Sequence, residues 1–229
     1  MNLSMCSKTP NLSESAKMFV GRRFRGAGRF AAWCLAVALA TAAMAESRTM
    51  MFFGDSLTAG YGIDPAEAYP ALIQERIDAA KPGAWRVINA GLSGETTAGG
   101  LRRLDWILRQ PVDLFVIELG GNDGLRGTPL ELTQANLQTM IDRLRAHNPR
   151  MIIVLAGMEI PTNMGPTYRD AFSRIYPELA AKNDLVLIPF LLEGVGGIPR
   201  LNLPDGIHPT AEGHRIVAET VWKILQPLL

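Results

Sequence analysis

Ser56 stands in the run Phe53-Gly54-Asp55-Ser56-Leu57-Thr58, where an apolar stretch gives way to a glycine-bearing turn. A serine in that setting is presented at the lip of a sheet. Far downstream, Asp205-Gly206-Ile207-His208-Pro209 supplies a carboxylate and an imidazole three residues apart. A hydroxyl, a base and a group that orients the base are the parts of an acyl-transfer site. The hydroxyl of Ser56 is a poor nucleophile until His208 takes its proton. Asp205 can accept the imidazole Nδ1–H, fix the tautomer and stabilise the imidazolium that forms. Attack on a carbonyl builds an oxyanion, and the backbone N–H groups of Ser56 and Gly94 and the carboxamide of Asn122 are the candidate donors to it.

Neighbouring residues of similar chemistry read differently. Of the three histidines, His147 falls in the last turn of a predicted helix, where a cation suits the helix end. His214 lies on the final predicted helix and reads as surface or core packing. By itself, Gly94 would be a turn glycine, and Asn122, in Gly120-Gly121-Asn122-Asp123, a turn closer. Asp55 and Asp123 read as loop-fixing acceptors of backbone N–H groups. Glu118, among apolar neighbours, reads as a buried carboxyl group paired with a local donor.

The elements that must position these residues alternate. Strand runs are expected at 49–53, 86–89, 114–119, 151–155 and 185–188, most of them apolar at successive positions, as in strands covered on both faces. Helical periodicity separates them. Tyr69, Leu72, Ile73 and Ile77 share one face; Leu101, Leu104 and Leu108 another. A third helix opens with a capping box, Thr128-Pro129-Leu130-Glu131, and a proline at its first position. Pro177 is expected to kink or split the fourth, and the last runs over 211–225. Strict alternation predicts an α/β fold, a three-layer α/β/α sandwich around a parallel sheet. Sites in such sheets form at the carboxyl ends of the strands. There Ser56, Gly94 and Asn122 follow successive strands, and the long Gly- and Pro-rich segment 191–207 delivers Asp205 and His208.

The first 45 residues do not read as fold. Arg22, Arg23, Arg25 and Arg29 precede an alanine-rich apolar run, and Ala43-Met44-Ala45 ends it. That is the anatomy of a secretory signal cleaved after Ala45, and the run is short for a membrane span. Residues 46–229 then form the catalytic domain, placed in the periplasm or outside the cell, with no stable membrane insertion expected. The whole chain holds 23 Lys/Arg and 22 Asp/Glu; without the leader's six and one, 17 face 21, a net charge of −4. No basic run gives a footprint for nucleic acid. Both cysteines, Cys6 and Cys34, fall in the leader, so the mature chain has neither disulfide nor thiolate metal site.

Four segments then match one family in order. Gly54-Asp55-Ser56-Leu57, Ser93-Gly94, Gly121-Asn122-Asp123 and Asp205-x-x-His208 resemble the motif blocks of the GDSL-type SGNH hydrolases. Leu119-Gly120-Gly121-Asn122-Asp123-Gly124-Leu125-Arg126-Gly127 further resembles the bacterial periplasmic arylesterase, thioesterase and lysophospholipase subfamily. The resemblance implies a flavodoxin-like fold and site residues Ser56, Gly94, Asn122 and His208. It implies hydrolysis of short to medium acyl or aryl esters through an acyl-serine, with thioesters and lysophospholipids as further substrates and no metal or cofactor. Some members carry Arg-Leu before a proline after the fourth strand. Here Met158-Glu159-Ile160-Pro161 stands instead, a carboxylate that disfavours anionic substrates such as acyl-CoA. Met158, Ile160, Met164 and Leu125 are the expected acyl-pocket residues. The alternatives are a carbohydrate O-deacetylase and, outside enzymes, an envelope module that binds lipids or esters.

Overall fold

Five apolar runs become five strands in the computed structural model, which describes Ser47–Leu229. The expected export signal at 1–45 lies outside the described residues. The strands are β1 (Arg48–Gly54), β2 (Trp85–Asn89), β3 (Leu114–Glu118), β4 (Ile152–Ala156) and β5 (Val186–Ile188), paired in parallel in the order β2-β1-β3-β4-β5. All of β3, and β1 beyond its first residue, are buried. Helices on both faces explain why these runs are apolar without alternation.

The order reverses at β1. β2 lies on one side of it and β3 on the other, so the carboxyl ends of β1 and β3 flank a crevice. Ser56 emerges from β1 and Asn122 from β3. The β1–β3 register pairs Gly54 with Glu118, so the two exits lie level.

Seven helices are described: α1 (Ser56–Ala59), α2 (Tyr69–Ala80), α3 (Thr97–Ile107), α4 (Gly121–Leu125), α5 (Leu130–His147), α6 (Pro166–Asn183) and α7 (Ala211–Leu225). α2 and α7 pack together, and Ile73 and Ile77 on the one and Val217 and Val221 on the other are buried. Hydrophobic burial of these faces, not local propensity, holds most of the helical structure.

The expected capping box does not form, and the split offered for the fourth long helix does not occur. α5 begins at Leu130 with Pro129 as an extended N-cap and no side-chain cap. Thr128 closes the preceding loop instead: its N–H donates to Asp123 O and its carbonyl accepts from Tyr168 Oη. Nor does Pro177 split α6, which runs unbroken for 18 residues. The ring of Pro177 is exposed while Phe172, Tyr176 and Leu179 are buried. Packing of that face outweighs one missing backbone bond.

One glycine is fixed by the fold. Gly120, just after β3, has φ +118°, and a Cβ there would lie 2.2 Å from Tyr176 Oη, the group that donates to Leu119 O. Gly120→Ala is therefore expected to destabilise the fold by about 2–4 kcal/mol through backbone strain and overpacking. The midpoint of urea unfolding checks this; an unchanged midpoint would refute it.

Candidate active site

The end of β1 at Gly54 and the single capping residue after it, Asp55, dictate where Ser56 sits. The Asp55 carboxylate accepts from Leu57 N at 3.0 Å, capping α1 and holding Ser56 at its first position. N–H groups in a first helical turn have no helical acceptor, so that of Ser56 is available to a ligand. Across the crevice, Asn122 in α4 donates from Nδ2 to the other Asp55 oxygen at 2.9 Å. Burial pushes Asp55 up to about 6, against the opposing pull of the Leu57 and Asn122 bonds.

Asp205 and His208 arrive from the loop before α7. A short antiparallel bridge, Asn202 with Pro209, closes the base of their turn. The Asn202 side chain donates to Val195 O at 2.7 Å and Ile198 O at 2.9 Å, which fixes the long segment onto its own backbone. Asp205 Oδ1 accepts from the N–H groups of Ile207 and His208 at 2.8 and 3.0 Å. The remaining Asp205 oxygen lies 2.7 Å from His208 Nδ1, and His208 Nε2 lies 2.8 Å from Ser56 Oγ. The His208 backbone N–H above all, then its ring and the Ile207 N–H, hold Asp205 down to about 2 despite desolvation. Hydrogen bonding assigns the tautomer: Nδ1–H toward the carboxylate, Nε2 free to accept from the hydroxyl.

The relay opens on a cleft of about 500 Å³ whose wall includes Ser56, Asn122, Leu125, Met158, Ile160 and His208. Met158 and Ile160 are buried. Met164, also expected there, does not line the cleft and falls in the short turn ahead of α6; Phe190, Leu192 and Ile207 are further apolar residues of the wall. Glu159 and Arg169 put one charge of each sign on the wall.

Gly94 stands outside the cleft wall, in the turn before α3, with φ +78°. Its carbonyl accepts from Arg126 at 3.0 Å. Glu95, beside it, is clamped by Arg103, which also donates to Ala90 O at 2.8 Å and lies over the Phe53 ring. Asp123 ties α4 to α3 by accepting from Thr97 N at 2.8 Å and Thr97 Oγ1 at 2.7 Å.

Two further side chains reach the site without a signal in the sequence pattern. Tyr61 packs its ring on His208 with centroids 4.5 Å apart, and Arg169 faces the cleft from a helix read only for its apolar face. Tyr61 follows Ser56 by five residues, a spacing with no helical or strand meaning. Nothing in the sequence pattern points to it.

A model of the GDSL-like Lipase/Acylhydrolase family matches residues 52–216. The chain belongs to that family. Esterase TesA of Pseudomonas aeruginosa is 44% identical over 197 residues, covering 86% of this chain and 96% of TesA. The Thioesterase 1/protease 1/lysophospholipase L1 of Escherichia coli K12 is 37% identical over 196 residues, covering 85% of this chain and 91% of its own. Among solved structures, the SGNH-hydrolase family esterase AlinE4 is 41% identical with a TM-score of 0.66, covering 81% of this chain and 99% of AlinE4. As a member of the GDSL-like family the chain is an ester hydrolase, which removes the purely binding alternative, and its fold is the SGNH-hydrolase sandwich.

The remaining histidines stand apart from the relay. His147 is exposed at the end of α5. His214 is buried, and its Nδ1 accepts from Tyr69 N at 3.2 Å. Burial, with a smaller contribution from His208, lowers His214 from 6.5 to about 4. Between those values the unfolded chain binds a proton that the folded chain refuses, so stability present above 6.5 is lost as pH falls. Over a drop from pH 6.5 to about 5 His214 is expected to cost about 2 kcal/mol, while Asp55, raised to about 6, binds a proton more readily in the folded chain over the same range and offsets part of that loss. Urea unfolding of the native protein and of His214→Gln at the two pH values isolates the His214 share as the difference between their pH dependences, with the variant losing less stability on acidification. An equal slope in the variant would exclude His214 as the source.

Proposed function

We propose that this family member is an exported serine esterase that hydrolyses short to medium acyl esters, aryl esters included, through an acyl-Ser56 intermediate. The Asp205–His208–Ser56 chain of hydrogen bonds at the edge of an apolar cleft is the observation that carries this reading. As Ser56 Oγ attacks the carbonyl carbon, His208 Nε2 takes its proton and Asp205 stabilises the imidazolium. The oxyanion is received by the N–H group of Ser56 and by Asn122 Nδ2, both at the cleft wall. Collapse expels the alcohol, protonated by His208. Water then attacks the acyl-enzyme with His208 as base and releases the acid.

Met158, Ile160 and Leu125 form the acyl side of the cleft, whose apolar wall suits a hydrocarbon chain better than a sugar. Simple esters come first, and an anionic substrate such as acyl-CoA gains no net attraction from a wall on which the Glu159 carboxylate stands with the Arg169 guanidinium. Residues 1–45 act as the signal for export to the periplasm, and the mature enzyme starts at Glu46.

Residues 46–229 incubated with p-nitrophenyl esters of graded chain length test the reading. Hydrolysis that extends past acetate supports it; activity confined to acetylated sugars would make the enzyme an O-deacetylase. Asn122→Ala is expected to lower kcat roughly 10²–10³-fold with folding retained, as for the loss of one oxyanion donor. An undiminished rate would remove Asn122 from the oxyanion site.

A further inference from the structure

Glu118 is a buried carboxyl group that the hydrolytic cycle does not use. It ends β3 with no exposure, beside Gly54 in the adjacent strand. Its side chain covers that glycine: a Cβ on Gly54 would lie 2.3 Å from Glu118 Oε2 and 2.2 Å from Thr58 Oγ1. Only a glycine lets the carboxyl group reach the turn from which Ser56 springs. There Oε2 accepts from Asp55 N at 3.1 Å and from the Thr58 hydroxyl at 2.7 Å. Thr58 Oγ1 is itself 2.7 Å from Tyr69 Oη. Oε1 has no hydrogen-bond partner among the described residues.

That asymmetry bears on charge. An ionised carboxylate would leave half its charge on Oε1, dry and facing no donor, which is costly. The titratable groups that face it are Asp55 beyond β1, Tyr69 on α2 and Tyr176 on α6, none of them a cation. Burial first, and the Asp55 charge second, push Glu118 well above the usual carboxylate range. A neutral acid fits the same contacts at lower cost: its carbonyl oxygen accepts both bonds, and the O–H at Oε1, though without an acceptor, carries no charge to desolvate.

We propose that Glu118 is a positioning residue: a neutral carboxylic acid that pins the Asp55–Ser56 turn and, through Asp55, aims the Asn122 carboxamide. The proposal rests on the serine-esterase reading above. Asp55 is the link, since one carboxyl group caps α1 at Leu57 and takes the Asn122 bond across the crevice. Among the described residues its backbone N–H donates to Glu118 Oε2 at 3.1 Å. Without that hold, the nucleophile and the oxyanion donor lose their common frame.

Glu118→Gln keeps the shape and neutrality of the acid, and its amide oxygen can take both bonds. Its kcat is expected within about twofold of the native enzyme. Glu118→Leu deletes the acceptor and is expected to lower kcat about tenfold or more at unchanged KM, the pattern of a transition-state defect. Infrared spectroscopy of the full chain reads the charge directly. At about pH 8, some two units above the Asp55 value of about 6, the native protein should show the carbonyl stretch of a protonated carboxylic acid. Glu118→Gln should lack it. A native spectrum without the band, a band that survives in Glu118→Gln, or a Gln variant as slow as the Leu variant would each overturn the proposal. Should Glu118→Leu fail to fold, the Gln rates and the band still decide. The band does not depend on turnover, so its absence is distinguishable from failure of the nucleophile assignment, which Ser56→Ala tests separately.

Discussion

Ser56→Ala is expected to cut ester turnover by about 10⁴-fold or more while leaving the fold intact. The hydroxyl is buried at the start of α1, and its loss removes few contacts. What it removes is the atom that bonds to the acyl carbon, and no other described hydroxyl lies at His208 Nε2. His208→Ala should cost about as much, because an alkoxide without a base does not form at neutral pH. The double variant should be little worse than either single one, since residues that act as a unit are strongly non-additive. Initial rates on a p-nitrophenyl ester measure all three. Additive losses would mean that the two side chains do not act in one step.

Asp205→Asn should lower kcat about 10³-fold. The asparagine Oδ1 can keep the backbone bonds to Ile207 and His208, so the loop should hold its shape. Its Nδ2–H group, however, would meet His208 Nδ1 as a donor and favour the tautomer whose Nε2 carries the proton. That nitrogen could no longer accept from Ser56. The loss is set below the ~10⁴ expected of a fully buried orienting aspartate, because the Asp205 side chain is 37% exposed and water shares its task. Raising the pH should not rescue the variant, for the defect lies in orientation and not in charge. A kcat within tenfold of the native value would assign Asp205 a purely structural role in the turn.

Much of this was legible in the chain because the physics involved is local or periodic. Near-continuous apolar runs such as 114–118 and the alternation of runs with helical faces are enough to indicate a parallel sheet. Gly54-Asp55-Ser56 and Asp205-x-x-His208 encode their own turns, since each aspartate caps the backbone within three residues of itself. The rest depends on contacts distant in sequence. The Thr58–Glu118 bond spans 60 residues and exists only because β1 and β3 are neighbours at matched height. Likewise, the Tyr61 ring meets His208 only once the long loop has folded back, and Arg169 faces the cleft by the rotation of α6. Local signals could also mislead. The Thr128 capping pattern and the Pro177 break were both overruled by tertiary bonds and packing that no short window contains.

Stoichiometric labelling with a p-nitrophenyl alkylphosphonate, followed by mass spectrometry of the digested enzyme, tests the central claim most directly. The account predicts about one p-nitrophenol released per active site, complete loss of esterase activity, and the phosphonate on Ser56 alone. Inactivation with the adduct on another residue, or full labelling of Ser56 that leaves turnover unchanged, would contradict it.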